Sequence, residues 1–295
     1  MPKILITGTG LISKHLSDKL IKNDNEVVFL SITKKEYPYF YWNPSKSEID
    51  ENALNDVEVI FHLAGANIAD KAWTDLRKKE ILESRVLSAK LLLKTLQNRH
   101  QKIKHFISAS AVGYYGAVTS DKVFDESTPP QKNDFLSTTC QQWENAANEF
   151  KTNNISENVS IHRFGIVFDK KEGALPKLLK SYYFKIGIII GNGKQWIPWV
   201  GLEDVVNQLI FAMNYNLNGT FNCVTNLESQ VTYNQLSDIF SKKFKPFFNF
   251  NVPPFLLNIS LGEKSIMLLE GTRVSNEKIR KLGFEYKITD INYFL

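Results

Sequence analysis

The chain has 295 residues, 43% of them hydrophobic, and its 36 Lys+Arg against 31 Asp+Glu leave a formal charge of +5, so it can bury a substantial core. No run is long or apolar enough to span a bilayer, and no signal-peptide pattern precedes the first strand; the charges lie scattered, without a basic face interleaved with aromatics. The expectation is a cytoplasmic monomer or homodimer that handles a small molecule and engages neither nucleic acid nor membrane, with two isolated cysteines, Cys140 and Cys223, that suit no zinc site or disulfide framework.

Lys3 to Thr7 is a short β-branched run that stops at Gly8-Thr9-Gly10, and apolar residues of helical period follow from Leu11 and Ile12 before a second run, Val27 to Leu30. That order predicts strand, glycine turn, helix and parallel strand. Glycine lets a backbone approach a pyrophosphate while the first helical N–H groups point at it unpartnered, so a dinucleotide is expected at this turn. Ser13 stands where the third small residue of the fingerprint falls. The end of the second strand offers Ser31, Thr33, Lys34 and Lys35 and no carboxylate, which favours NADP over NAD.

Val57 to Ala64 reads as a buried strand whose end, Leu63, Ala64 and Gly65, is small enough for a cofactor to cross. A helix from about Thr74 to Asn98 carries Glu80 and Arg85, candidate cofactor contacts or members of a charge network with Arg77. The strand ending in Ser108, Ala109 and Ser110, then Tyr114 and Tyr115 on a glycine-flanked loop, brings hydroxyls to the sheet edge, where they can donate a proton or polarise a carbonyl. A helix from about Asp134 to Thr152 and a strand from Asn158 to Phe164 continue the alternation. The predicted fold is α/β, a Rossmann-type doubly wound parallel sheet over residues 1–170. Residues 171–295 are expected to form mainly a smaller mixed substrate lobe, with some elements returning to the sheet domain, and helices at Leu202 to Met213 and Tyr233 to Lys243 around a strand at Thr220 to Val224.

Several motifs, in order, resemble the extended short-chain dehydrogenase/reductases, and within them the NAD-dependent epimerase/dehydratase-like group often labelled epimerase family protein. They are His62-Leu-Ala-Gly-Ala-Asn-Ile-Ala-Asp-Lys71, Trp73 with Arg77, Glu80, Ser84 and Arg85, and Ile107-Ser-Ala-Ser-Ala-Val-Gly-Tyr-Tyr-Gly116. Asp134-Phe-Leu, Trp143-Glu144, Arg163-Phe-Gly-Ile-Val167 and the tail Leu268-Leu-Glu-Gly-Thr-Arg-Val274 follow. The resemblance implies a sheet that binds NADP(H), with Gly8 to Ile12, Ser31, Leu63, Ala64, Glu80, Arg85, Ser110 and Arg163 near the cofactor. The chain also departs from the group. Its glycine turn is one residue short, Gly201 replaces a family histidine, and the loop before it is shortened to Gly187-Ile-Ile-Ile. Leu136 and Cys140 stand where the Tyr and Lys of the usual proton-transfer pair fall. Two functions are therefore open: an NADP-dependent oxidoreductase or epimerase of atypical mechanism on a small carbonyl or sugar-like substrate, whose proton comes from Ser110, Tyr114 or Tyr115, or a nucleotide-binding protein without turnover.

Overall fold

A computed structural model describes residues 2–33 and 39–295; Lys34 and Lys35, the two cations expected at the second strand, lie outside the described residues. Eight strands form the main sheet: β1 (Lys3–Thr7), β2 (Glu26–Ser31), β3 (Tyr39–Asn43), β4 (Glu48–Ile49), β5 (Val57–His62), β6 (Ile103–Ala111), then β8 (Ser156–Phe164) and β13 (Gly219–Cys223). The short strand β7 (Ser120–Phe124) falls outside it and pairs with Thr272–Val274 of the tail. The sheet order is β13-β8-β6-β5-β1-β2-β3-β4, parallel except for the β3–β4 pair. Chain order reverses between β1 and β5, and it is at the carboxyl ends flanking such a reversal that α/β sheets bind ligands.

Register brings the expected site residues into one row. Thr7 pairs with His62, His62 with Ser108, and Ser110 with Arg163, so the ends of β1, β5, β6 and β8 reach the same edge. The helices cover both faces. On one, α1 (Leu11–Lys22) buries Leu16 and Leu20 against Ile4 and Ile6. On the other, α2 (Asp75–Asn98) and α3 (Phe135–Thr152) pack Leu92, Leu96, Ala147 and Phe150 onto Leu5, Ile60 and Phe106. Both of these helices start where a side chain can take an orphan N–H: Thr74 accepts from Arg77 N at 3.2 Å, and Asp134 accepts from Ser137 N at 3.0 Å.

A third core gathers residues after 168. Helix α4 (Leu175–Tyr183) contributes Leu179 and Tyr182, α6 (Tyr233–Phe244) contributes Leu236 and Phe240, and Trp199 and Phe294 complete it. Between α4 and α6 the chain returns to the main sheet. Helix α5 (Leu202–Asn214) packs Val205 and Leu209 on the β1 core, and β13 pairs in parallel with β8. The strand expected at Thr220 to Val224 is thus the sheet's edge, and its pairing with β8 satisfies backbone groups that the β8 edge would otherwise leave open.

Candidate functional site

The glycine turn is shaped by what it touches. Gly8 has φ +81°, and a Cβ there would stand 2.9 Å from the Cα of Ala64, so only glycine lets β1 end this close to β5. Thr7 Oγ1 fixes the approach by accepting from Leu63 N and Ala64 N, both at 3.2 Å. At Gly10 a Cβ would meet nothing within 4 Å, and no side chain caps α1. The N–H groups of its first turn therefore open toward free space with no acidic residue beside them. Ser13 is buried, so the enlarged third position is absorbed by packing.

A cavity of about 820 Å³ begins at this turn. Gly8, Thr9, Gly10, Ala64 and Gly65 form its floor, Ser31 and Thr33 one end, and Trp42 with Pro44 a wall. The Ser31 hydroxyl is occupied locally, donating to Thr33 O at 2.8 Å and accepting from Thr33 N at 3.2 Å. Glu80 also lines the cavity, but its carboxylate pairs with Arg77 at 2.6 Å, and Arg77 is bound to Asp70 at 2.7 Å as well.

Arg85 is not part of that charge network. Its guanidinium lies behind Gly65, where a Cβ would come within 2.9 Å of its central carbon, and 5.0 Å from the Trp143 ring. Its hydrogen bonds go to carbonyls only, Ile81 O at 2.8 Å and Ala66 O at 3.2 Å. Among the described residues no carboxylate pairs with it, and burial pushes its pKa down to about 10. Beside it, Trp143 Nε1 donates to His62 Nδ1 at 3.3 Å, which places the His62 proton on Nε2 for donation to Ser88 Oγ at 2.7 Å. Burial holds His62 neutral with a pKa of about 3.

The hydroxyl end is organised by Glu144. Its carboxylate takes both Arg163 Nε and Nη2 at 2.8 Å and the Ser110 hydroxyl at 2.7 Å. Arg163 also donates to the Tyr115 hydroxyl at 3.2 Å and lies flat on the Tyr114 ring, 3.3 Å from its centroid. Burial works against this cation, yet the Glu144 hydrogen bonds and charge outweigh it, so its pKa is raised. Tyr115 is fully buried, its oxygen 2.8 Å from Asn222 Oδ1 and 2.9 Å from Asp125 O, and burial pushes the phenol up to about 12. The Ser110 and Tyr115 hydroxyls, expected at the substrate, are bonded to buried partners, and Arg163, expected near the cofactor, is held by Glu144 through two nitrogens. Tyr114 is half-buried, and its hydroxyl makes no hydrogen bond among the described residues.

The pattern of the NAD dependent epimerase/dehydratase family matches residues 4–224. The chain belongs to that family. A domain of unknown function, DUF1731, matches residues 252–295. Epimerase family protein YfhF of Bacillus subtilis is 31% identical over 295 residues, covering 98% of this chain and 94% of its own. Among solved structures, human epimerase family protein SDR39U1 (isoform 2) with NADPH superposes with a TM-score of 0.83 at 24% identity, over 98% of this chain and 96% of that one. A nucleoside-diphosphate sugar epimerase from Corynebacterium glutamicum superposes at 0.77 with 26% identity, over all of this chain and 57% of that one.

In this epimerase-family chain the helical face at the proton-transfer position is inert. Leu136 Cβ and Cys140 Sγ lie 3.4 and 3.8 Å from where a Cβ on Gly113 would stand. Burial, then the Glu144 charge, pushes the Cys140 thiol up to about 12, so it stays protonated. Sequence reasoning did not assign roles to Glu144, Asn222 or the His62–Trp143 pair. The one local signal was spacing: Cys140 and Glu144, four apart, share a face of α3 with Leu136.

Proposed function

We propose that this family member binds NADP(H) across the carboxyl ends of β1, β5 and β6 and acts as an epimerase or oxidoreductase of atypical proton transfer on a small carbonyl or sugar-like substrate. The observation that carries it is the 820 Å³ cavity whose floor is the uncapped start of α1 and the side-chain-free space at Gly10. Those features suit a pyrophosphate, since N–H donors and helix dipole converge where a Cβ would intrude. The NADPH in the human relative's structure supports the same cofactor. For the 2′-phosphate the support is negative space: Ser31, Thr33 and Ser45 line that end of the cavity without a carboxylate.

Bound there, a nicotinamide dinucleotide would supply hydride chemistry. The chain's own part is to hold and orient. The α1 N–H groups and Arg85 take negative charge, while Glu144 fixes Arg163 and so the plane of the Tyr114 ring. Tyr114, its ring held against the Arg163 guanidinium, is then the proton donor left with an uncommitted hydroxyl. The non-catalytic reading is favoured by one observation, the Leu136 and Cys140 pair, neither of which moves a proton.

Titration calorimetry with NADPH, NADP⁺, NADH and NAD⁺ tests the cofactor. NADPH should bind more tightly than NADH by about 1.5–3 kcal/mol, one hydrogen bond to a charged group; equal affinities would sink the preference, and no binding the whole proposal. A panel of carbonyl substrates with NADPH tests turnover, which Tyr114→Phe should lower by roughly 10²-fold or more while leaving NADPH affinity unchanged. Binding without turnover on any carbonyl would favour the non-catalytic protein.

A further inference from the structure

Residues 173–202 and 239–262 contain no Asp or Glu, and between them hold seven lysines. The fold brings these separate stretches together. Strand Ile186–Ile190 pairs in parallel with Phe248–Val252, Phe247 N donates to Lys185 O at 2.9 Å, and Lys185 Nζ caps α6 by donating to Phe244 O at 2.6 Å. The result is a face that the linear sequence does not display. Phe184 (71% exposed), Phe247 (78%) and Phe248 (65%) stand out from it with Tyr183 and Phe250, and Lys180, Lys242, Lys243 and Lys245 surround them, all exposed. Helix α7 (Pro254–Leu261) follows directly, with no charged side chain, no buried residue, and Phe255 and Ile259 in solvent.

Single exposed apolar residues are ordinary, but several exposed phenylalanines carried by two paired stretches mark a partner. Its charge selects a negative one. A second copy of the same face would set lysine against lysine, which disfavours self-pairing. Its apolar groups are phenyl and aliphatic, with Ile259 and Leu256 beside the phenylalanines and no arginine in either stretch, whereas single-stranded nucleic acids are held by stacking on aromatics and by guanidinium groups. Phenylalanines and aliphatics flanked by lysines suit the boundary between acyl chains and acidic headgroups. We propose that this face docks the protein peripherally on an anionic lipid bilayer. No helix among the described residues is long and apolar enough to cross a membrane, so the contact is superficial.

Co-sedimentation of the full chain with phosphatidylcholine vesicles, with and without phosphatidylglycerol, tests this. The protein should pellet with the phosphatidylglycerol vesicles, release at high salt, and pellet weakly with phosphatidylcholine alone. Lys180→Gln, Lys242→Gln and Lys243→Gln together should lower partitioning about a hundredfold, roughly fivefold per lysine. Phe247→Ser with Phe248→Ser should abolish it at an unchanged thermal midpoint and NADPH affinity, because both side chains are mostly in solvent. The proposal is overturned if the wild-type protein stays in the supernatant, or if neither variant changes its partitioning. It is equally overturned if the face binds a labelled single-stranded oligonucleotide but not vesicles, or supports only a dimer in sedimentation velocity that the phenylalanine variant dissociates.

Discussion

Replacing Arg85 with methionine separates a ligand-binding arginine from a structural one. A pKa lowered from 12.5 to about 10 means that its surroundings disfavour the cation by about 3 kcal/mol relative to water, at about 1.4 kcal/mol per pKa unit. The carbonyls of Ile81 and Ala66 return part of that, on the order of 1 kcal/mol each, and the Trp143 face a similar amount. Methionine keeps the unbranched stem and removes the charged group that lies behind Gly65 and over Trp143. Arg85→Met should therefore leave the cofactor-free protein within about 1 kcal/mol of wild type, or more stable, while NADPH binding weakens by about 1.5–3 kcal/mol, ten- to a hundred-and-fifty-fold. Urea titration gives the first quantity and calorimetry the second. A loss of several kcal/mol in stability with unaltered NADPH affinity would refute the reasoning, because it would make Arg85 a scaffold residue whose charge the fold already satisfies.

Gly10→Ala should cost the free protein at most about 1 kcal/mol, the penalty for alanine at a helix N-cap, yet abolish cofactor binding in calorimetry; Gly8→Ala should lower stability itself by at least about 1–3 kcal/mol, through positive φ and the Ala64 contact. Glu144→Gln leaves Arg163 buried without its counter-charge and should destabilise by about 3–5 kcal/mol in urea, with wild-type stability counting against the bidentate pair as a structural element. His62, His105 and His162 are held by burial at about 3, 4 and 3, below an unfolded value near 6.5, so the unfolded chain takes up protons that the native one refuses. Stability should be fully present above about pH 6.5 and fall on acidification by about 1.4 kcal/mol per pH unit for each histidine, about 4 per pH unit for the three and about 6 in all by pH 5; a thermal midpoint flat from pH 7.5 to 5 would contradict this.

Much of the architecture was legible because it is local. Helix starts near Thr74 and Asp134, the Gly8–Gly10 break and the apolar runs at Lys3 and Val57 each reflect one element's own physics, and the strands and helices there fall within a few residues of expectation. The strand Tyr39–Asn43, one in from the sheet's edge, was missed, since Tyr-Phe-Tyr-Trp-Asn shows no alternation and its order comes from pairing with Phe29 to Ser31. Side-chain pairing across elements was the larger loss. Helical spacing sets Leu136, Cys140 and Glu144 on one face, but only the register of β6 with β8 brings Ser110 beside Arg163 and both under Glu144. Arg163 and Ser110 therefore read as free groups in sequence and are bound ones in the fold. The aromatic and lysine face escaped for the same reason: its two halves lie some sixty residues apart and meet through the pairing of Ile186 with Phe248.

The contrast between the two arginines near the sheet edge carries the functional argument. Arg163 has a carboxylate on two nitrogens, a phenol on a third and a ring beneath it, so its charge is already answered within the fold. Arg85 has carbonyls and a ring but no negative charge, and it lies behind the glycine at the end of the cavity floor. A half-buried cation without a counter-charge carries a desolvation cost that an anionic ligand would offset. The uncapped first turn of α1 repeats that condition at the other end of the same floor, with N–H groups and dipole but no acceptor. On the proposed reading a dianionic pyrophosphate would answer both, and NADPH should accordingly raise the thermal midpoint of the wild-type protein, in proportion to the logarithm of its concentration, by more than it raises that of Arg85→Met.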